Sequence, residues 1–174
     1  MTKPAWINRS TLEKLVIFLV FLLGTGIRLY ELKQPPLDFH LTRQLRSALI
    51  ARAVYFQLKP DLSPQLVKQA TDLANLEIYE PPVFENIVGF TYYLIGSEQV
   101  WIARIYLALF WAIGGLALWG VLKRYASRLA VIISLCFYFF LPFSVIASRS
   151  FQPDPWMVMW ILICAYAFTR WSES

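Results

Sequence analysis

The stretch PPLDFHLTRQLRSALIARAVYF, Pro35 to Phe56, gathers Asp38, His40 (the only histidine of the chain), Arg43, Arg46 and Arg52 directly after a very apolar segment. Arginine forks bind phosphate, and a carboxylate beside them can take a proton from an attacking hydroxyl. Glu80 and Glu85 flank a Pro-Pro pair further along, and Arg149 and Asp154 sit in the turn SRSFQPDP, Ser148 to Pro155. These residue types suit a substrate with a charged head and a lipid tail, the head gripped at an interface while a membrane holds the tail. Each residue has a plainer role as well. Asp38 and Asp154 are placed to cap helices, Arg43 and Arg46 to touch lipid head groups, Glu80 and Glu85 to sit as surface charges, and Arg149 to snorkel from a helix end. His40 alone makes no metal site, which needs several ligands, so no metal ligands are assigned.

The elements that must position these residues are apolar helices. Apolar residues form 58% of the chain and aromatics 17%, outside the range of an ordinary soluble domain, so the sequence reads as an integral membrane protein. A formal charge of +5 is spread without a basic stripe and sits largely beside apolar segments, which argues against nucleic acid as a partner. Cys136 and Cys164 lie in apolar runs with no second thiol nearby, indicating neither a disulfide framework nor a zinc site.

The expected fold is all-α, a polytopic membrane helix bundle with amphipathic interfacial helices in a long first outer loop. Four segments meet or approach the roughly 20 apolar residues of a transmembrane helix. They run from about Leu12 to Tyr30, from Val100 to Leu122, from Leu129 to Ala147 with Pro142 near its end, and, shorter, from Pro155 to about Trp171. Glu13, Lys14 and Arg28 are near enough to the ends of the first to snorkel; Arg104, near the start of the second, is expected to snorkel or pair. Lys3, Arg9 and Lys14 before the first span, and the acid-free link with Lys123, Arg124 and Arg128, mark the cytoplasmic side. The amino terminus is then cytoplasmic, and residues 31–99 and the turn at Ser148 to Pro155 face outward from a multi-pass protein of the cytoplasmic membrane. A cleaved signal peptide is the rival reading of the first span, but its end reads GTG and offers no A-x-A site.

Within the outer loop, Leu41, Leu45, Ala48, Leu49, Arg52 and Phe56 recur at helical spacing, as for a helix lying on a membrane surface. Ser63 and Pro64 open a second helix with Leu66, Val67, Ala70, Leu73 and Ala74 on its apolar face. The run after Pro81 and Pro82 is too short to span alone and suits a partly immersed helix. Folded over the bundle, the two outer connections would enclose one polar site at the interface.

Four stretches in order carry a resemblance: LDFH with RQLRSALIAR, then YEPPVFENIVGFTYYLIG, WIARIYLALFW and LPFSVIASRSFQPDPWM. They look like the outer-loop acid with its R-Q and A-R pattern, the Pro-Pro segment with a glycine-ended helix, the arginine opening the second span, and the S-R then P-D turn of one enzyme group. Over nearly its whole length the chain resembles the polyprenyl-phosphate-sugar glycosyltransferases of the GT-C fold. That group contains protein O-mannosyltransferases, aminoarabinose transferases and bacterial members of glycosyltransferase family 39. The resemblance implies Asp38 as the principal catalytic carboxylate and Asp154 as the second acid. It implies Arg43 and Arg149 on the donor phosphate and Glu80 on sugar or acceptor, with His40, Gln44 and Glu85 completing the substrate-binding set.

The implied activity moves a sugar from a polyprenyl-phosphate carrier to a lipid, glycan or protein acceptor at the outer face of the bilayer. A lipid phosphate leaving group needs no nucleotide site and the chain has no nucleotide fingerprint, so no nucleotide cofactor is expected. A divalent metal stays open, because Tyr79 and Glu80 stand before the prolines where some relatives carry Glu-Lys or His. Relatives of this kind continue through more spans, so residues 1–174 are expected to be an amino-terminal part of the enzyme. The rival class is a non-enzymatic membrane scaffold or transporter subunit whose outer helices bind lipid or a partner. A transporter would show paired broken helices or polar residues at mid-membrane, and the second and third spans show almost none.

Overall fold

The computed structural model describes residues 9–37, 39–76 and 79–173, and among them all regular structure is α-helical. In order, the helices are α1 (Arg9–Arg28), α2 (Leu41–Leu58), α3 (Pro64–Leu76), α4 (Val83–Ile95), α5 (Val100–Tyr125), α6 (Arg128–Phe140), α7 (Pro142–Ala147) and α8 (Asp154–Trp171). Helix α5 is the axis of the molecule, packing on α8, α6 and α1, while α2 packs on α3 and α4.

Glycines make the close approaches on α5 possible. A Cβ at Gly114 would lie 2.7 Å from the Tyr138 hydroxyl, at Gly115 2.6 Å from Phe139 and at Gly120 2.6 Å from Tyr166. Phe139, fully buried, also fills the space beside Gly24 of α1, so one aromatic ring locks α1, α5 and α6 together. Overfilling such a site by one methyl costs about 1–3 kcal/mol. Trp111 and Tyr138 strengthen the same seam: their rings stack at 4.6 Å, and each side chain donates a hydrogen bond to the other's backbone carbonyl.

Among the described residues, α5 is the one helix both long and apolar enough to cross a membrane. The expected third span, 129–147, is two helices. Pro142 has no N–H to continue the ladder and forces Leu141 into an extended geometry (ψ 127°), so α6 stops at Phe140 and α7 restarts at the proline. With 13 residues α6 is about 20 Å long, short of a hydrocarbon core of roughly 30 Å.

Arg28, expected to snorkel, and Arg104, expected to snorkel or pair, are both buried and hydrogen-bonded. Arg28 is wholly buried: Nε donates to Ser148 Oγ (2.6 Å), and the terminal nitrogens donate to the carbonyls of Gly24, Phe139 and Ser144. Its guanidinium also lies over the rings of Trp111 (5.3 Å) and Phe139 (5.6 Å). Arg104, 2% exposed, donates to the carbonyls of Leu32 (2.7 Å) and Gln34 (2.6 Å). A strongly polar fork thus satisfies carbonyls that helix ends and turns leave over. Arg28 fastens α6 and α7 to the end of α1, and Arg104 fastens the following connection to α5.

In α2 the leucine stripe faces outward. Leu41 and Leu45 are exposed, whereas Gln44, Ser47, Ala51 and Tyr55 are buried. The close approach is made possible by glycine on α4: a Cβ at Gly89 would sit 2.6 Å from the Ala51 carbonyl oxygen and 2.7 Å from Val54 Cβ, so this face of α2 is the one that meets α4. Ser63 caps α3 as expected, its Oγ accepting from Leu66 N (3.4 Å). Gly96 ends α4 in the left-handed region (φ 77°), with its N–H and that of Ser97 returned to Tyr92 O.

Candidate functional site

A pocket of about 240 Å³ opens where the start of α2, the side of α5, α7 and the start of α8 converge. Phe39, Trp111, Phe143 and Val158 give it apolar walls, and His40, Arg43, Gln152 and Asp154 supply the polar groups. The pocket depends on one unusual residue. His40 occupies the N-cap of α2 in the left-handed region (φ 51°, ψ 57°), which turns the chain sharply into the helix. Its carbonyl accepts from Arg43 N and Gln44 N, and its side chain makes no capping bond. The N-cap position of α2 therefore falls on His40. Asp38 itself lies outside the described residues.

Arg43 projects from the first turn of α2 and meets Asp154 in the first turn of α8. Its two terminal nitrogens reach the two carboxylate oxygens, Nη1 to Oδ1 at 3.3 Å and Nη2 to Oδ2 at 3.1 Å. Asp154 sits where a helix N-terminus favours an anion, directly after Pro153 at the N-cap and before Pro155. The two side chains remain 36% and 41% exposed, so the fork contributes no more than about 1 kcal/mol to the fold. A pair this accessible can exchange partners: the guanidinium can turn to a phosphate, which frees the carboxylate to engage another group.

The other expected site residues separate into three places. Gln44 is wholly buried, its Nε2 donating to Phe39 O (2.7 Å) and its Oε1 accepting from Phe151 N (3.1 Å). That amide ties the entry of α2 to the turn before α8, so it aligns the pocket's two rims from behind instead of lining it. Arg149 donates to the carbonyls of Tyr30 and Glu31, fastening the same turn to the end of α1, and is not among the lining residues. Glu80 and Glu85 form a second cluster along α2. Arg46 pairs with Glu80 at 3.4 Å and lies over the Tyr79 ring at 5.2 Å, while buried Glu85 accepts from Ser47 Oγ at 2.8 Å. Burial pushes the Glu85 carboxyl above the usual carboxylate range, partly offset by its hydrogen bonds. Among the described residues no group of three or more His, Cys, Asp or Glu is placed to hold a metal ion.

Sequence reasoning overlooked the pocket's aromatic walls and Gln152. Phe39, Trp111 and Phe143 come from three different parts of the chain, the entry to α2, α5 and α7, and only folding brings them together. Gln152 precedes Pro-Asp in the turn, a signal visible in hindsight, but an uncharged amide among arginines and carboxylates draws no attention on residue type alone.

No curated protein and no solved structure is significantly similar to the chain. A family model described as dolichyl-phosphate-mannose-protein mannosyltransferase matches residues 79–174. The match takes in three of the four stretches that carried the resemblance, from the Pro-Pro segment through the arginine of α5 to the S-R and P-D turn, and stops short of LDFH and RQLRSALIAR. Covering more than half of the chain and including Asp154 and the turn that builds the pocket's rim, it establishes that the chain belongs to the dolichyl-phosphate-mannose-protein mannosyltransferase family.

Proposed function

We propose that the pocket holds the sugar and phosphate of a polyprenyl-phosphate-linked sugar and that the protein transfers this sugar to a hydroxyl of a lipid, glycan or protein acceptor. The family description supplies the class of donor, a mannose on a lipid phosphate, and names protein as acceptor. The observation that carries the reading is the accessible Arg43–Asp154 fork on an aromatic-walled pocket. In the reaction, the acceptor oxygen bonds to the anomeric carbon while the bond from that carbon to the phosphate oxygen breaks. The electron pair leaves with the lipid phosphate, and the hydroxyl proton passes to a carboxylate. Asp38 is the proposed base, Asp154 the second acid, and Arg43 the fork that turns to the phosphate as negative charge builds there. His40 frames the pocket beside them, Arg149 supports its rim, and Glu80 and Glu85 belong to an acceptor-side cluster.

The proposed setting is a multi-pass protein of the cytoplasmic membrane with the pocket facing outward, supported by the acid-free link at Lys123, Arg124 and Arg128. Cysteines introduced within Asp61 to Gln69 should react with an impermeant reagent from outside, and those within Lys123 to Arg128 should not; the reverse pattern overturns this orientation. For the chemistry, the full-length protein in proteoliposomes is given labelled mannosyl-phosphopolyprenol and acceptor. Asp38→Asn should lower transfer by about 10²- to 10⁴-fold with folding, insertion and donor binding retained. Absence of transfer by the wild type refutes the glycosyltransferase reading, and full activity of Asp38→Asn removes Asp38 from it.

A further inference from the structure

Gln152 is 1% exposed and its Oε1 is buried without any hydrogen-bond partner in the protein, although the residue lines the pocket. Buried acceptors are almost always satisfied, so one left open beside a cavity marks a place where something else donates. Its neighbours hold the turn firmly. Phe151 is fully buried against Phe84, with ring centroids 5.6 Å apart, and its N–H is taken by Gln44; the Gln152 N–H donates to Ser150 O at 2.8 Å. The amide is therefore presented by a backbone held on both sides.

Its chemistry selects the ligand group. A carboxamide oxygen accepts, so it repels a phosphate oxygen and welcomes an O–H. The phosphate already has Arg43, whereas the hydroxyls of a sugar need neutral acceptors beside apolar walls, which Phe39, Trp111 and Phe143 provide. About 240 Å³ lies below the roughly 300–1,000 Å³ of pockets for larger ligands, a size for one monosaccharide and not for a polyprenyl chain.

We propose that Gln152 determines sugar specificity, its Oε1 accepting a hydrogen bond from one ring hydroxyl of the sugar in the pocket. This rests on the transfer reading above and adds to it the residue that distinguishes one donor sugar from another. It predicts that a donor lacking that hydroxyl is rejected, because the acceptor is then left buried and unpaired.

The test uses the full-length protein in proteoliposomes with a series of monodeoxy sugars on one polyprenyl-phosphate carrier. In the wild type, one deoxy position should lower kcat/KM by about tenfold to a hundredfold. In Gln152→Met, which keeps the shape and removes the acceptor, transfer of the complete sugar should fall by a similar factor. Discrimination at that one position should shrink to within about twofold, with the other positions unchanged. The variant should also melt no lower than the wild type, since no protein donor loses a partner. Retained discrimination, or a variant that melts lower or fails to fold, overturns the assignment and makes the amide structural. A wild type that transfers no sugar from any such carrier removes the transfer reading and this inference with it, whereas a transferring wild type with an indifferent Gln152→Met removes this inference alone.

Discussion

Arg28 and Arg43 carry the same guanidinium fork and use it in opposite ways. Arg28 is fully buried, and among the described residues no carboxylate touches it; its donors go to Ser148 Oγ and three carbonyls, with Trp111 and Phe139 beside it. Arg43 is partly exposed and engages a carboxylate at the edge of a cavity. The first arrangement leaves nothing for a ligand, because every exchange would abandon a buried carbonyl. The second is weak as a structural bond and is therefore free to change. An arginine able to turn to a ligand is recognised here by how little the fold depends on it.

The sharpest way to break that contrast is Asp154→Asn in the full-length protein. Loss of a carboxylate that holds or moves a proton should reduce sugar transfer by about 10²- to 10⁴-fold, while the unfolding free energy should change by less than about 1 kcal/mol. A variant with normal turnover in the transfer assay would make the Arg43–Asp154 pair a clasp between α2 and α8 and erase its difference from Arg28.

Next in size is Arg28→Met. The methionine fills the space, but the buried Ser148 hydroxyl and the carbonyls of Phe139 and Ser144 lose a charged donor, and α7 loses its tie to α1. A loss of about 3 kcal/mol in denaturant unfolding is expected, with donor binding by the remaining folded protein unchanged. An equally stable variant would show that the packing of Phe139 between Gly24 and Gly115 holds this seam without the arginine.

How far the sequence displayed these roles follows from the kind of signal each one leaves. Helix periodicity and caps are local, so α5, the start of α3 at Ser63 and Pro64, and the return of α8 at Pro155 were all legible. Pro142 was visible too, but whether a proline bends a helix or ends it depends on whether neighbours satisfy the freed groups, and here α6 ends. The partnership of Arg43 with Asp154 spans 111 residues and left only a shared expected side of the membrane as a clue. Gln44 and Arg149, grouped with the substrate residues by their motif positions, hold backbone atoms across the fold, a role that only the folded chain displays. The apolar stripe of α2, expected to lie on a membrane surface, leaves Leu41 and Leu45 exposed, but the opposite face, where Ala51 and Val54 meet Gly89 of α4, left no periodic signal of its partner.

A smaller effect separates the pocket from the cluster along α2. Burial raises the Glu85 carboxyl above its value in the unfolded chain, so the native state holds that proton more tightly. The resulting stabilisation is fully present below about pH 4.3, the ordinary glutamate value, and is lost as pH rises through the raised folded value. Arg46 and Ser47 oppose the shift and Glu80 adds to it, so the dependence is damped. Melting temperatures from pH 4 upward should therefore fall more steeply for the wild type than for Glu85→Gln. Parallel curves for the two proteins would mean that Glu85 titrates as a solvated group.

The smallest expected effect concerns Arg46, one helical turn beyond Arg43. It pairs with Glu80, which is half exposed, at 3.4 Å through one nitrogen and one oxygen, and it lies over Tyr79. A single-contact exposed pair contributes roughly 0.2–1 kcal/mol, and a cation over an exposed ring about 0.5–1 kcal/mol. A double-mutant cycle with Arg46→Ala and Glu80→Ala should thus give a coupling below about 1 kcal/mol in stability. The Arg43 and Asp154 cycle should give a similarly small coupling, because that pair is also exposed. Transfer rates are where the two pairs must part: on the proposed function, which puts Arg43 and Asp154 at one reacting centre, their cycle should be strongly non-additive, while the cycle at Arg46 and Glu80 should be nearly additive. Equal coupling of both pairs in the rate would mean that the chemistry extends along α2 beyond the pocket and that the acceptor reaches Glu80 during the transfer itself.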